Sequence, residues 1–123
     1  MLFMRPMRST DDYGLPGPES GSLYFLALDG DKLVGWCRYR RLPWVVKIEE
    51  FNDGGDLVLL DGLVRAVFNA MYESGVDRAE MGEKVELARL AALGVPLNGT
   101  NCVNSIDDFL NNCKNCKKFG NLL

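Results

Sequence analysis

The spacing of the apolar residues changes abruptly at Leu57. Residues 44–51, WVVKIEEF, have the partly alternating pattern of a strand, whereas apolar residues after them recur at the spacing of one helix face. The loop between contains Gly54 and Gly55 and ends at Asp56, whose carboxylate can accept the free amides of a first helical turn. The sequence therefore predicts a strand, a glycine loop and a long helix, and in many folds such a helix N-terminus binds phosphate. The apolar stripe consists of Leu57, Leu60, Val64, Val67, Phe68 and Met71.

Several apolar runs before this loop predict strands. SLYFLAL and KLVGWCRYR flank Asp29-Gly30-Asp31, a turn whose glycine can take positive φ, so they predict a hairpin. WVVKIEEF follows Pro43 and adds another antiparallel strand, which gives a meander. LFMRPM at the N-terminus predicts one more strand, and Pro6 places it at a sheet edge or a bulge because proline has no amide hydrogen. Residues 9–22 are rich in Pro, Gly, Asp and Ser, which is typical of a loop.

Shorter elements follow the long helix, which we expect to end at Gly75. VDRAEM predicts a short strand, EKVELARLAAL a second helix that stops at Gly94, and residues 97–104 a last strand. Ser105 and Asp108 match a capping box ahead of a cysteine-bearing C-terminal helix at about residues 105–119. The prediction is a single α/β (α+β) domain over residues 1–123, with a mostly antiparallel sheet packed by about three helices.

Composition excludes several functions. The formal net charge is -3 with a pI near 4.9, so we expect no nucleic-acid partner. No apolar run approaches the ~18 residues of a membrane span and no signal peptide is evident, so we expect a cytoplasmic protein without a membrane partner. The chain has no histidine, which rules out a Ser-His or Cys-His nucleophile within it. Proton transfer would fall to a carboxylate, Cys, Lys, Tyr or a water.

The four cysteines support three interpretations. Cys113 and Cys116 form a single C-x-x-C, which with Cys37 and Cys102 would give a weak zinc signal. A redox pair is the second interpretation, and ordinary thiols are the third. We expect no metal, and we expect Cys37 to be a small core residue because it lies in a predicted strand.

An aromatic and basic segment lies in the second strand of the hairpin and the loop after it. It could bind an anionic or planar ligand by stacking and paired charges, or form a homodimer contact, or be one polar face of a hairpin. The residues alone leave these alternatives open. The segment comprises Trp36, Arg38, Tyr39, Arg40, Arg41 and Trp44.

The order strand, hairpin, strand, glycine loop, long helix, short strand and helix resembles the GNAT superfamily of N-acetyltransferases. The likeness runs from about Ser22 to Val95. Residues 29–35, DGDKLVG, look like the superfamily's second hairpin, and Leu93-Gly94-Val95 lies where those enzymes end a helix with Leu-Gly-Phe. The resemblance implies a GNAT-like fold and carries little about activity by itself.

In that superfamily a Gln/Arg-x-x-Gly-x-Gly/Ala loop directs backbone amides at the coenzyme A pyrophosphate. The resemblance therefore implies acetyl-CoA as cofactor, bound here by Asn52, Gly54, Gly55 and Leu57. The loop departs from the pattern because the arginine is missing and two aspartates stand in it. An aspartate that caps the helix also takes up the amides that a phosphate would need. We expect that this loop does not cradle a diphosphate in the usual way.

The resemblance also suggests the catalytic residues. The superfamily places a carboxylate on the strand before the loop, which makes Glu49 and Glu50 the candidate bases, and strand alternation predicts that at most one faces the cleft. Leu90 stands where the superfamily often has its tyrosine acid. The implied function is an acyl-CoA-dependent N-acetyltransferase, with its activity retained or lost. The alternative is a non-catalytic binding or dimeric interaction module, and a third is a small thiol or zinc protein.

Overall fold

The computed structural model describes residues 1–16 and 21–111, which form a six-stranded mixed sheet and three helices. This α+β architecture confirms the predicted fold class. The predicted meander, long helix and short following strand all form in the expected order. The elements are β1 (Leu2–Pro6), β2 (Leu23–Asp29), β3 (Lys32–Arg41), β4 (Val46–Asn52), α1 (Leu57–Glu73), β5 (Ala79–Met81), α2 (Leu87–Ala92), β6 (Cys102–Val103) and α3 (Ile106–Asn111).

The sheet has the strand order β1-β2-β3-β4-β5-β6, and only the β4–β5 pair is parallel. That pair needs a crossover, which α1 supplies. β5 pairs with Val46–Ile48, the first part of β4. Gly82 then donates its amide hydrogen to the carbonyl of Ile48 at 2.8 Å, and the chain turns away. The last part of β4, residues 49–52, therefore lies beyond the β5 ladder, and a cleft opens there.

The main core lies between α1 and one face of the sheet. The helix buries the predicted stripe against β2, β3 and β4, although Leu57 at its start remains 38% exposed. Cys37 is fully buried in this core, as expected, and burial raises the pKa of its thiol to about 12. Burial keeps this thiol in its neutral form at neutral pH, which fits its role as a packing residue.

A chain segment, residues 7–16, packs against the opposite sheet face around Tyr24, Leu26 and Leu28. Arg5 Nη1 donates to Asp11 Oδ2 and Arg5 Nη2 donates to Asp11 Oδ1, both at 2.7 Å, and this pairing fixes the segment. The hydrogen bonds of the pair hold the pKa of the Asp11 carboxyl well below its usual range. No helix precedes α1 in the described ranges.

β1 is an edge strand, as Pro6 predicted. The amide of Met7 donates to the carbonyl of Tyr24 at 2.9 Å, so it points at β2. Amide directions alternate along a strand, and the position of Pro6 therefore points away from β2. The missing amide hydrogen costs the ladder nothing and leaves fewer donors at the open edge.

Local contacts set the starts of α2 and α3. α2 begins at Leu87 rather than at Glu83, because residues 82–85 form a turn in which Val85 donates to the Gly82 carbonyl at 3.2 Å. At α3 the Asp108 amide donates to the Ser105 hydroxyl oxygen at 3.1 Å, as the capping box predicts.

The remainder of the predicted C-terminal helix, with Cys113 and Cys116, lies outside the described residues. No helix in the described ranges is long and apolar enough to cross a bilayer.

Gly35 lets α1 approach the sheet closely. A Cβ atom added there would lie 2.5 Å from Leu59 Cδ2 and 2.8 Å from the carbonyl oxygen of Asn52. The Leu59 side chain could rotate, but the backbone oxygen belongs to the neighbouring strand and cannot move alone.

We therefore expect Gly35→Ala to lower the free energy of unfolding by roughly 1–3 kcal/mol, since overpacking a core contact strains both partners. Urea denaturation measures the loss. Gly99→Ala is the matched control, because a Cβ there meets no atom within 4 Å, and its effect should stay within about 0.5 kcal/mol. Equal stability of the two variants would contradict the close approach.

Candidate functional site

The cleft beyond the β4–β5 ladder has a volume of about 460 Å³ and is open to solvent. β3, the end of β4, the β4–α1 loop and α2 form its walls. Residues 52–55 of the glycine loop are among the lining residues. The lining residues are Trp36, Glu50, Phe51, Asn52, Asp53, Gly54, Gly55, Glu86 and Arg89.

The amides of the glycine loop donate to its own side chains. Gly54 donates to Asn52 Oδ1 at 3.0 Å, and Gly55 donates to Asp53 Oδ1 at 2.9 Å. Both are bonds from an Asx side chain to the amide two residues on, a local motif that stabilises turns. Gly54 and Gly55 have φ angles of 62° and 85°, a region that favours glycine and explains why both occur here. The amides of Gly54 and Gly55, two residues that line the cleft, are therefore already hydrogen-bonded.

The first turn of α1 is capped as predicted. Asp56 Oδ1 accepts the amides of Val58 at 2.9 Å and Leu59 at 3.3 Å. The amide of Asp56 itself donates to the Asp53 carbonyl at 3.0 Å. A carboxylate at this position also compensates the positive end of the helix dipole. The carboxylate of Asp56 thus occupies the position at the helix N-terminus where an external anion would bind.

Asp53 pairs with Arg89 across the cleft. Its Oδ2 accepts hydrogen bonds from Arg89 Nε at 3.0 Å and Nη2 at 2.5 Å, while its Oδ1 accepts from Gly55. Asp53 is only 6% exposed, so its charge is held away from water and depends on these partners. The pair joins the β4–α1 loop to α2, elements that the sequence separates by 36 residues.

A β-bulge sets the positions of the two candidate carboxylates. Arg38 pairs with Glu50 and Tyr39 pairs with Ile48, which leaves Glu49 as the extra residue in β4. Both glutamates consequently contact one guanidinium, with Arg38 Nε 3.5 Å from Glu49 Oε1 and Arg38 Nη2 3.3 Å from Glu50 Oε1. The bulge turns both side chains to the face opposite α1, so simple alternation does not hold at these two residues, although the prediction that at most one of them faces the cleft agrees with the cleft lining. Only Glu50 lines the cleft.

Glu49 is held in a network of its own. Its Oε1 accepts a hydrogen bond from the Ser22 hydroxyl at 2.5 Å, and its Oε2 lies 3.5 Å from Arg40 Nε. Burial by itself would raise the pKa of Glu49, but the Ser22 hydrogen bond and the charges of Arg40 and Arg38 outweigh it, so the pKa falls below its usual value. A carboxylate with a lowered pKa is a weaker base.

The remaining predicted site residues lie in different parts of the structure. Leu57 begins α1 beside the cleft but is not among the lining residues, whereas Asn52, Gly54 and Gly55 are. Leu90 is buried in the core and carries no acid. In the described ranges no three Asp, Glu or Cys side chains are arranged to hold a metal ion.

The aromatic and basic segment does not form one surface. Tyr39 is buried in the α1 core, Trp36 lines the cleft, and Trp44 is 83% exposed in the β3–β4 loop. Arg41 donates to the Ser74 hydroxyl at 3.3 Å and to its carbonyl at 3.1 Å, while the other two arginines contact the β4 glutamates. Alternation and ion pairing therefore place the members of the segment in different surroundings, and its interpretation as a ligand-binding or dimer surface stays a prediction.

Sequence reasoning missed Glu86 and Arg89, and it did not foresee a pairing partner for Asp53. Arg89 lies within the predicted second helix, where a single arginine is ordinary. Only the fold brings this helix to the loop. The available signal was the uncompensated aspartate of Asn52-Asp53-Gly54-Gly55, since a buried carboxylate requires a partner from another element.

The Glu49 network predicts a pH dependence of stability. Because the folded-state pKa lies below the ordinary value of 4.5, the network stabilises the fold above about pH 4.5 and loses that contribution as pH falls through the folded pKa. Urea unfolding at about pH 6 and about pH 3.5 should show a larger acid-induced loss for the wild type than for Glu49→Gln. Glu83→Gln, at an exposed site, is the matched control. Equal acid sensitivity of wild type and Glu49→Gln would contradict the network.

Comparisons with known proteins give structural matches and no sequence match. No protein-family model matches the chain, and neither does any curated protein sequence. Its fold is similar to the crystal structure of a GNAT family acetyltransferase from Elizabethkingia anophelis with acetyl-CoA bound. The TM-score is 0.56 at 9% sequence identity, over 76% of this chain and 72% of that one. This likeness establishes a GNAT-like fold.

Proposed function

We propose that this protein is a non-catalytic binding module of GNAT-like fold, whose cleft holds a ligand without cradling a coenzyme A diphosphate. The observation that carries the proposal is the hydrogen bonding of the loop. The amides that would face a diphosphate donate instead to Asn52, Asp53 and Asp56. A helix N-terminus binds an anion through amides that have no other acceptor.

The charges around the cleft support the same conclusion. Asp53, Glu50 and Glu86 line it, and Asp56 stands at its edge at the helix N-terminus. Of the described residues that line the cleft, Arg89 is the one cationic residue, and Asp53 neutralises it. Among these residues a diphosphate would meet carboxylates and no uncompensated cation. The residues present do not fit coenzyme A in this role, so we assign them no catalytic step through it.

The lining favours a ligand that carries a positive charge. Trp36 offers an aromatic wall, Glu86 offers an exposed carboxylate, and Glu50 offers a second carboxylate that also contacts Arg38. An ammonium group beside an indole ring is stabilised by about 0.5–2 kcal/mol, depending on its exposure to water. An amine is therefore the ligand class that matches the cleft.

A second candidate is an acyl-CoA-dependent N-acetyltransferase, which is favoured by the likeness to an acetyltransferase solved with acetyl-CoA. In that case Glu50 would take the proton from an amine acceptor, because it lines the cleft, whereas Glu49 is occupied by Ser22 and two arginines.

A homodimer stays a prediction, and exposed Trp44 is its strongest candidate contact.

Isothermal titration of acetyl-CoA into the purified, reduced protein distinguishes the two candidates. We expect no saturable binding at concentrations that would detect a dissociation constant near ~1 mM, equivalent to about 4 kcal/mol. Saturable binding would contradict the first proposal. The second would then predict that Glu50→Gln retains acetyl-CoA binding but loses acetyl transfer to amines, while Glu49→Gln keeps both.

A matched pair of small ligands tests the charge preference of the cleft. In a Trp44→Phe background Trp36 is the sole tryptophan, and its fluorescence reports on the cleft. Cadaverine and glutarate have carbon chains of the same length with opposite charges. We expect cadaverine to change the fluorescence saturably, with an effect reduced by Glu86→Gln, and glutarate to leave it unchanged. A stronger response to glutarate would contradict the amine assignment.

A further inference from the structure

We infer that Asp53 is the residue that determines ligand charge in this cleft, and that it excludes anions by neutralising Arg89 and occupying the amide of Gly55. This inference rests on the proposed function and names the residue responsible. Without Asp53, the same cleft would present a guanidinium and a glycine amide, which together form an anion site.

The contacts of Asp53 are distributed so that one side chain blocks donors of two residues, Arg89 and Gly55. Oδ2 accepts from Nε and Nη2 of Arg89, at 3.0 and 2.5 Å, and Oδ1 accepts from Gly55 at 2.9 Å. The two bonds from the guanidinium are charge-assisted and therefore stronger than bonds between neutral groups. Both Arg89 and Gly55 line the cleft, so the blocked donors are those that an incoming anion would reach.

The low exposure of Asp53 makes its carboxylate difficult to displace from Arg89 and Gly55. The Asp53 side chain is 7% exposed and that of Arg89 is 27% exposed. An external anion would have to replace a carboxylate that is fixed by the backbone and screened little by water. Competition for Arg89 therefore favours the resident aspartate.

Neighbouring acidic residues do not share this role. Within residues 1–16 and 21–111, the Asp56 side chain accepts from the helix amides of Val58 and Leu59, and no hydrogen bond or ion pair joins it to Arg89. Glu86 lines the cleft and adds negative charge, but Arg89 directs its side-chain hydrogen bonds to Asp53. Glu86 thus supplies a control, since its replacement removes a charge and leaves both donors blocked.

Inorganic pyrophosphate is the probe, followed by Trp36 fluorescence in the Trp44→Phe background and by calorimetry. Asp53→Asn preserves shape and can still accept from Gly55, so it releases Arg89 alone, whereas Asp53→Ala releases both donors. We expect Asp53→Asn to bind pyrophosphate at least about tenfold more tightly than the parent, and Asp53→Ala at least as tightly. Glu86→Gln should stay within about threefold of the parent.

The gain must also depend on Arg89. The double variant Asp53→Asn/Arg89→Gln should return to the weak binding of the parent. The inference is overturned if Glu86→Gln gains as much as Asp53→Asn, if the double variant keeps the gain, or if neither Asp53 variant gains. Parental failure to bind acetyl-CoA would still support the proposed function in each case, so the two failures are distinguishable.

A measurement on the unaltered protein covers the case in which loss of the Asp53–Arg89 pair prevents folding. In ¹⁵N-correlated NMR spectra, the Gly55 amide and Arg89 Nε–H signals report directly on the two blocked donors. We expect neither signal to shift as pyrophosphate is added, because Asp53 retains both. Saturable shifts of these two signals would overturn the inference.

Discussion

The packing of α1 against the sheet is the interaction on which the other features depend. An isolated helix of this length is marginal in water, and burial of its apolar side supplies the missing stability, at roughly 1.5–3 kcal/mol for each fully buried large side chain. Because α1 crosses the sheet between β4 and β5, those two strands are parallel. The close approach at Gly35 fixes the depth of the helix, and thereby the position of its N-terminus beside the cleft.

The cleft follows from how little of β4 the short strand β5 covers. Three residues of β5 pair with the first part of β4, and the remainder of β4 carries Glu50, Asn52 and the loop into open space. This opening lies beside the N-terminus of α1, where free amides and the helix dipole would attract anions. Asp53 and Asp56 accept hydrogen bonds from these amides, which is the basis of the proposed preference of the cleft for cations.

Much of the fold was predictable from the sequence. The Asp29-Gly30-Asp31 turn, the change of period at Leu57, the Asp56 cap and the capping box at Ser105 are local signals, and the structure contains each of them. Local signals failed where two elements meet. The bulge at Glu49 interrupts the expected alternation of side chains. A bulge depends on the register of β3 against β4 and not on the residues of β4 alone.

Local patterns in the chain were sufficient for the order of elements, the apolar face of α1 and the acidic side chains of the glycine loop. Periodicity and capping act over a few residues, so one chain segment contains the whole signal. Folding was needed to bring Glu50 and not Glu49 to the cleft, and Asp53 to Arg89. Burial and ion pairing depend on distance in space, and the sheet and helices bring together groups that are far apart in the chain.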